Sequence, residues 1–377
     1  MKNLSVYIHI PFCLSKCDYC DFPSWAGLGQ SEINGYIEAL GAEIRGAVNE
    51  LEGYEAQTVF LGGGTPTVLE PEVLGGILDI LRENCRISPG AEISAEANPG
   101  TFKDADALRI LGKAGINRLS LGVQTFDDTL LKAVGRSHRG ADAAKAFSMA
   151  RDAGFDNINL DLMFSMPGQT LEGFKRDLEA AVKLAPEHIS CYGLIVEGNT
   201  PLGKRGYEPD EDLDRAMYAL AREIFLNVGY KHYEISNFAL PGRYSRHNYA
   251  YWTGIEYRGF GLGAHSLINY TRFHNVYDLD AYISARGFSP RQNPEVLGEK
   301  DRMAEFLILG LRLLNGINFK DFSDKFEKNI FHEYGSPIEE LVKLGLLEIC
   351  DNEANQSSIR LTIKGLDLSN QVFERFI

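Results

Sequence analysis

Residues 7–22 read Tyr7-Ile8-His9-Ile10-Pro11-Phe12-Cys13-Leu14-Ser15-Lys16-Cys17-Asp18-Tyr19-Cys20-Asp21-Phe22. Three thiols fall within one short loop directly after an apolar strand pattern, and thiolates gathered in this way are ligands for iron–sulfur clusters. Such clusters usually take four cysteines, and a fourth nearby cysteine is missing here. A cubane held by Cys13, Cys17 and Cys20 alone leaves one iron open to an external ligand. The competing reading is zinc, with His9 as fourth ligand. Structural zinc sites pair one CysXXCys with a second, and none follows: Cys85, Cys191 and Cys350 stand singly. Single cysteines are more often small buried hydrophobes than ligands.

The 377 residues exceed the size at which a single core stops growing, so one large domain with a smaller companion is expected. Against 52 acidic side chains stand 38 basic ones, a net charge of −14 that argues against a nucleic-acid backbone as partner. No apolar run approaches the ~20 residues needed to cross a bilayer. Met1-Lys2-Asn3 leads straight into a strand without a signal-peptide pattern, so a cytoplasmic location is expected, where thiols stay reduced.

Outward from the cysteine loop, the chain alternates β-type runs with helical patterns. Strands are expected at 4–10, 58–61, 92–95, 118–121, 158–162 and 188–192, and helices at 33–51, 72–84, 105–114, 140–153 and 171–184. This predicts an α/β fold with a parallel sheet, either a partial barrel or an open doubly wound sheet. Each strand carries polar or Gly-rich sequence near its carboxyl end: the cysteine loop, Gly62-Gly63-Gly64-Thr65-Pro66, Glu96-Ala97-Asn98-Pro99, Gly122-Val123-Gln124, Asp161 and Tyr192. In parallel barrels the active site forms at that face. A helix at 213–228, a strand at 233–238 and an aromatic, His-rich tract at 244–274 follow. Residues 286–300 read as a linker into a last segment whose helices (301–314, 338–344) and strand pair (346–349, 359–362) suggest a winged helix. The domains are accordingly placed at 1–235, 236–295 and 296–377.

The glycine loop lacks the GlyLys of a Walker sequence; it serves either as close backbone approach to a ligand or as a plain turn. Glu96 and Asp161 can accept hydrogen bonds from ammonium groups or ribose hydroxyls, or act as caps and salt-bridge partners. Gln124 and Arg136 suit a bound carboxylate, which Arg can grip bidentately.

Taken together, the cysteine segment, Gly62-Gly63-Gly64-Thr65-Pro66, Ser94-Ala95-Glu96-Ala97-Asn98-Pro99, Gly122-Val123-Gln124-Thr125-Phe126, the run Asp161 to Thr170 and His247-Asn248-Tyr249-Ala250-Tyr251-Trp252 resemble the oxygen-independent coproporphyrinogen III oxidase superfamily of radical S-adenosylmethionine proteins. The resemblance runs from residue 4 to about residue 377. It favours a partial parallel (β/α)6 barrel with a small C-terminal α+β, winged-helix-like domain. It implies a 4Fe-4S cluster on Cys13, Cys17 and Cys20, with S-adenosylmethionine lined by Tyr7, Phe22, Gly63, Gly64, Thr65, Glu96, Gln124, Arg136 and Asp161. Oxidases of the superfamily carry CysXXXCysXXCysXCys, whereas the heme-chaperone branch has Phe at the last position, as Phe22 here, and a HisAsnXXTyrTrp tract. Both features point to a protein that binds heme and passes it to acceptor proteins such as respiratory enzymes, with coproporphyrinogen oxidase activity not expected. The alternatives are an enzyme, either an oxygen-independent coproporphyrinogen III oxidase or a radical enzyme acting on another tetrapyrrole or a different substrate, and a zinc-stabilised binding module. A neutral imidazole can ligate heme iron, and His247 and His265 are rivals for that role; equally, His247 can be a structural hydrogen bonder with Tyr251 and Trp252 packed in a core.

Overall fold

A computed structural model describes residues 1–285, 291–351 and 357–377. Its centre is six parallel strands, β1 (Lys2–Ile10), β2 (Tyr54–Gly63), β3 (Ile87–Ala97), β4 (Arg118–Gln124), β5 (Ile158–Phe164) and β6 (His188–Gly193), paired in that order. The crossovers carry α1 (Gln30–Gly46), α2 (Pro71–Asn84), α3 (Ala105–Lys113), α4 (Gly140–Asp152) and α5 (Leu171–Leu184). Strands covered on both faces read as continuous apolar runs, and β4 is buried at every position. The helices start where side chains satisfy the free amides: Asp104 accepts from Ala107 N at α3, and Thr170 from Gly173 N at α5.

Past β6 comes α6 (Glu211–Asn227), then β7 (Lys231–Glu234) and β8 (Asn237–Ala239). The single strand expected over 233–238 is thus two antiparallel strands, because the Glu234 carboxylate accepts from Ser236 N and closes a turn between them. Helix α7 (Arg246–Trp252) is capped by Ser245, whose hydroxyl accepts from Asn248 N. Then β9 (Tyr257–Phe260) adds parallel to the free edge of β1, and β10 (His265–Ile268), β11 (Thr271–Asn275) and β12 (Arg291–Val296) continue antiparallel. One sheet of twelve strands results, in the order β12-β11-β10-β9-β1-β2-β3-β4-β5-β6-β8-β7, with its two ends apart: a partial barrel. Part of the linker reading, 286–290, lies outside the described residues, and 291–296 forms an edge strand instead.

The extension is locked to the barrel by buried charge. Arg258 and Glu43 pair at 2.9 Å with both side chains almost fully buried, and Glu43 also accepts from Tyr282 Oη, Asn275 Nδ2 and Gly261 N. The C-terminal segment has its own core, built on Leu307, Phe322, Ile338 and Ile359. It packs α8 (Glu299–Gly310), α9 (Phe319–Phe326) and α10 (Ile330–Lys343) against β13 (Leu347–Asp351) and β14 (Ser357–Leu361), the helix-plus-wing arrangement expected. Among the described residues, no helix is long and apolar enough to cross a membrane.

Candidate functional site

The cysteine loop leaves the carboxyl end of β1 and is pinned at several points. Trp25 N donates to Pro11 O, Asp18 N to Val134 O, and Lys16 Nζ to Phe22 O. All six cysteines are unpaired, but only Cys13, Cys17 and Cys20 share a loop; Cys85 and Cys191 are buried, and Cys350 lies in β13. Burial pushes the Cys13 and Cys20 thiols up, which disfavours bare thiolates. At Cys17, Arg136 donates from Nη1 to the sulfur over 3.4 Å, and Thr65 Oγ1 stands 3.9 Å from the Cys13 sulfur.

Among the described residues, no three His, Cys, Asp or Glu side chains converge on one ion position. A zinc ion draws every thiolate to about 2.3 Å from a single point, whereas a cubane takes each thiolate on a different iron. Three thiols on one pinned loop match the soft donor set of an iron–sulfur cluster. His9 is no spare ligand either, since its ring nitrogens meet Tyr7 Oη at 3.0 Å and Pro23 O at 2.9 Å.

The glycine loop after β2 is drawn against this loop by Gly64 N to Ile10 O and Thr65 N to Phe12 O. Its glycines are required by proximity. Gly63 has φ 107°, and a Cβ there would stand 2.3 Å from the His9 ring. At Gly64 a Cβ would lie 2.6 Å from Phe12 O. Glu96 at the end of β3 accepts from Gly63 N at 3.0 Å.

A cavity of about 1050 Å³ opens beside the loop. Of the residues singled out by sequence, Tyr7, Cys20, Phe22, Gly63, Glu96, Asp161, His247 and His265 line it. Gly64, Thr65, Gln124, Arg136, Cys13 and Cys17 are absent from that lining. Gln124, at φ 65°, accepts from Tyr192 Oη at 3.0 Å, and Arg136 turns to Cys17, Asn98 Oδ1 and Gly122 O. Burial, and next the charge of Asp161, push Glu96 up to about 8, and burial raises Asp161 as well. Two carboxyls so placed are relieved by a cationic ligand, which an ammonium or sulfonium group provides.

The two histidines differ sharply. His247 is 2% exposed, and its ring nitrogens meet Thr58 Oγ1 at 2.9 Å and Tyr251 Oη at 3.1 Å. His265 is exposed at the open side of the barrel; its Nε2 meets Tyr277 Oη at 2.8 Å, and its Nδ1 makes no hydrogen bond among the described residues. Burial lowers both pKa values, that of His247 to about 3, so both imidazoles are neutral at pH 7. Trp252 packs away from the cavity, 4.3 Å from the guanidinium of Arg312 at the C-terminal segment. Phe22 (63% exposed) and Ile195 (76% exposed) add exposed apolar surface to the cavity lining, Phe22 being singled out by the sequence and Ile195 not.

Residues 7–181 match the Radical SAM superfamily, and residues 297–368 the HemN C-terminal domain. The chain is 37% identical over 384 residues to the heme chaperone HemW of Lactococcus lactis, covering 100% of this chain and 98% of that one. It is 38% identical over 382 residues to the heme chaperone HemW of Bacillus subtilis, covering 99% of each, and 40% identical over 271 residues to that of Escherichia coli, covering 72% and 71%. In three dimensions it resembles the Escherichia coli coproporphyrinogen III oxidase HemN, a radical SAM enzyme, with a TM-score of 0.87 at 24% identity over 100% of this chain and 90% of that one.

Proposed function

We propose, from the premise that this chain belongs to the heme chaperone HemW family of the radical SAM superfamily, that it binds heme and hands it to acceptor proteins, respiratory enzymes among them, in the cytoplasm. The observation that carries this reading is that one cavity, of about 1050 Å³, adjoins the cysteine loop and reaches both the paired carboxyls and His265. Cys13, Cys17 and Cys20 would hold a 4Fe-4S cluster, and Tyr7, Phe22, Gly63, Gly64, Thr65, Glu96, Gln124, Arg136 and Asp161 would surround S-adenosylmethionine. When bound, that pair supplies one-electron chemistry at the sulfonium.

The chain's own groups do the rest. Arg136 steadies the Cys17 sulfur, while Glu96 holds the glycine loop through Gly63 N. Tyr192 orients the Gln124 amide. Phe22 and Ile195 offer exposed apolar surface against which a porphyrin face would pack, and His265 lines the same cavity. Phe22 supplies no thiol, so the residue set lacks the oxidase branch's fourth cysteine.

The test is anaerobic reconstitution of the full chain, followed by hemin titration and, in parallel, a coproporphyrinogen III assay with S-adenosylmethionine and reductant. Stoichiometric heme binding without porphyrinogen turnover is expected. Turnover with no heme bound would replace this reading by the enzyme alternative.

A further inference from the structure

Arg118 opens β4 and is among the largest fully buried side chains, 2% exposed, yet it lines the cavity. Among the described residues its guanidinium makes no hydrogen bond and no ion pair, and its Nε is buried without a partner. A buried charge is ordinarily paired, so this one calls for an explanation. Three carboxyls share the interior, and each is engaged elsewhere. Glu92 accepts from the backbone N–H groups of Arg246 and His247, both at 3.1 Å; Glu96 accepts from Gly63 N; Asp161 accepts from Ser120 Oγ and Asn159 Nδ2. The Arg118 charge acts on Glu96 and Asp161 only through space, lowering both against the effect of burial, and among the described residues neither carboxyl forms an ion pair with it.

A second unpartnered donor stands beside it. Ser94 on β3 is in register with Arg118, and its buried Oγ has no partner. Since side chains alternate along a strand, Ser94 lies on the same face of β3 as Glu96, fully buried behind Arg118 and not itself part of the cavity lining. The register continues Arg118, Ser94, Phe60, Tyr7, Gly259, and a Cβ on Gly259 would lie 2.3 Å from the His265 carbonyl. Arg118 and His265 therefore lie on one register row of the sheet, and both line the cavity.

We infer that Arg118, with Ser94, forms a subsite for a carboxylate of the molecule held in the cavity and, on the reading that this molecule is heme, for one of its propionates. The guanidinium is a planar donor suited to a carboxylate, and the Ser94 hydroxyl adds a further donor. This rests on the heme reading but is separable from it.

The test titrates the full-length protein with hemin and with hemin dimethyl ester, whose propionates are capped. Wild type is expected to bind the free acid roughly tenfold more tightly than the ester, the size of one charge-assisted hydrogen bond. Arg118→Gln should lose that preference by weakening the acid about tenfold while leaving the ester unchanged, and Arg118→Lys should keep part of it. Equal affinity of wild type for acid and ester overturns the inference without recourse to any variant, as does an Arg118→Gln protein that still prefers the acid as wild type does. If wild type binds neither compound, the heme reading falls and the propionate subsite with it.

Discussion

The guanidinium of Arg136 donates from Nη1 to the sulfur of Cys17 across 3.4 Å. The residue that the family resemblance gives to a carboxylate thus stands, in this structure, against a cysteine of the loop, with Asn98 and Gly122 taking its Nη2. Removing it should make the Cys17 thiolate harder to hold. Arg136→Ala is expected to lose iron to a chelator roughly tenfold faster than wild type in the absence of S-adenosylmethionine, with Arg136→Lys intermediate. If the rates match, the residue's work lies with the carboxylate instead, and equilibrium dialysis of S-adenosylmethionine should show the deficit.

Cys13, Cys17 and Cys20 share one pinned loop, whereas Cys85 and Cys191 are buried elsewhere and Cys350 belongs to the C-terminal sheet. Any single Cys→Ala in the loop should collapse iron and sulfide content after reconstitution, and Ala at the other three should leave it near wild type. An outlying cysteine proving as necessary as the loop cysteines would sink the three-ligand arrangement.

Glu96 gives the protein a pH signature. Its folded-state pKa is raised from 4.5 to about 8 by burial and the charge of Asp161. Between those values the unfolded chain has released this proton and the folded chain retains it, so this group's contribution to stability falls as pH rises through the window. Glu96→Gln, neutral throughout, removes the effect. The melting temperature of the variant relative to wild type should climb steadily from pH 5 to pH 8, and a flat difference would show that Glu96 is already ionised in the fold.

The pair Arg258–Glu43 sits 215 positions apart in sequence and is almost fully buried. Removing Glu43 leaves Arg258 with Glu50 at 3.3 Å as its remaining carboxylate and takes the acceptor from Tyr282 Oη and Gly261 N, a loss at the lower end of the about 3–5 kcal/mol typical of breaking a buried pair. Glu43→Ala should therefore lower the denaturant midpoint strongly, and Arg258→Met with Glu43→Leu should recover part of the loss.

These sites also show what the sequence could and could not disclose. Helix α5 spans 171–184 as its periodicity indicates, and β5 begins at Ile158 as its apolar run does, because amphipathic helices and buried parallel strands write their environment into local pattern. Polar groups at the strands' carboxyl ends were likewise visible in advance, and several do meet in one cavity. Strand β12 was not legible: all six of its residues are exposed and it contains Pro294, so no alternation marks it and only pairing with β11 makes it a strand. Nor was Arg118, since an arginine at the head of an apolar run looks like a solvated strand end. Its burial follows from curvature of the sheet, and the Arg258–Glu43 pair from contacts distant in the chain, neither of which local spacing encodes.

The heme ligand can now be argued from geometry rather than from motif. His247 belongs to the family tract, but both its ring nitrogens are held, by Thr58 and Tyr251, and it is 2% exposed. His265 is exposed at the cavity, neutral at pH 7, and keeps one ring nitrogen without a hydrogen bond. His265→Ala is therefore expected to shift the Soret band of the heme complex and weaken heme binding. His247→Ala should leave the band where it is and instead lower stability by about 1–3 kcal/mol, the cost of taking the ring from Tyr251 Oη, while Thr58 Oγ1 keeps its bond to Ser5. Absorbance spectra and thermal melts of the two variants decide the matter: a Soret shift produced by His247→Ala alone would put that imidazole on the iron and require the Thr58 and Tyr251 hydrogen bonds to break when heme enters.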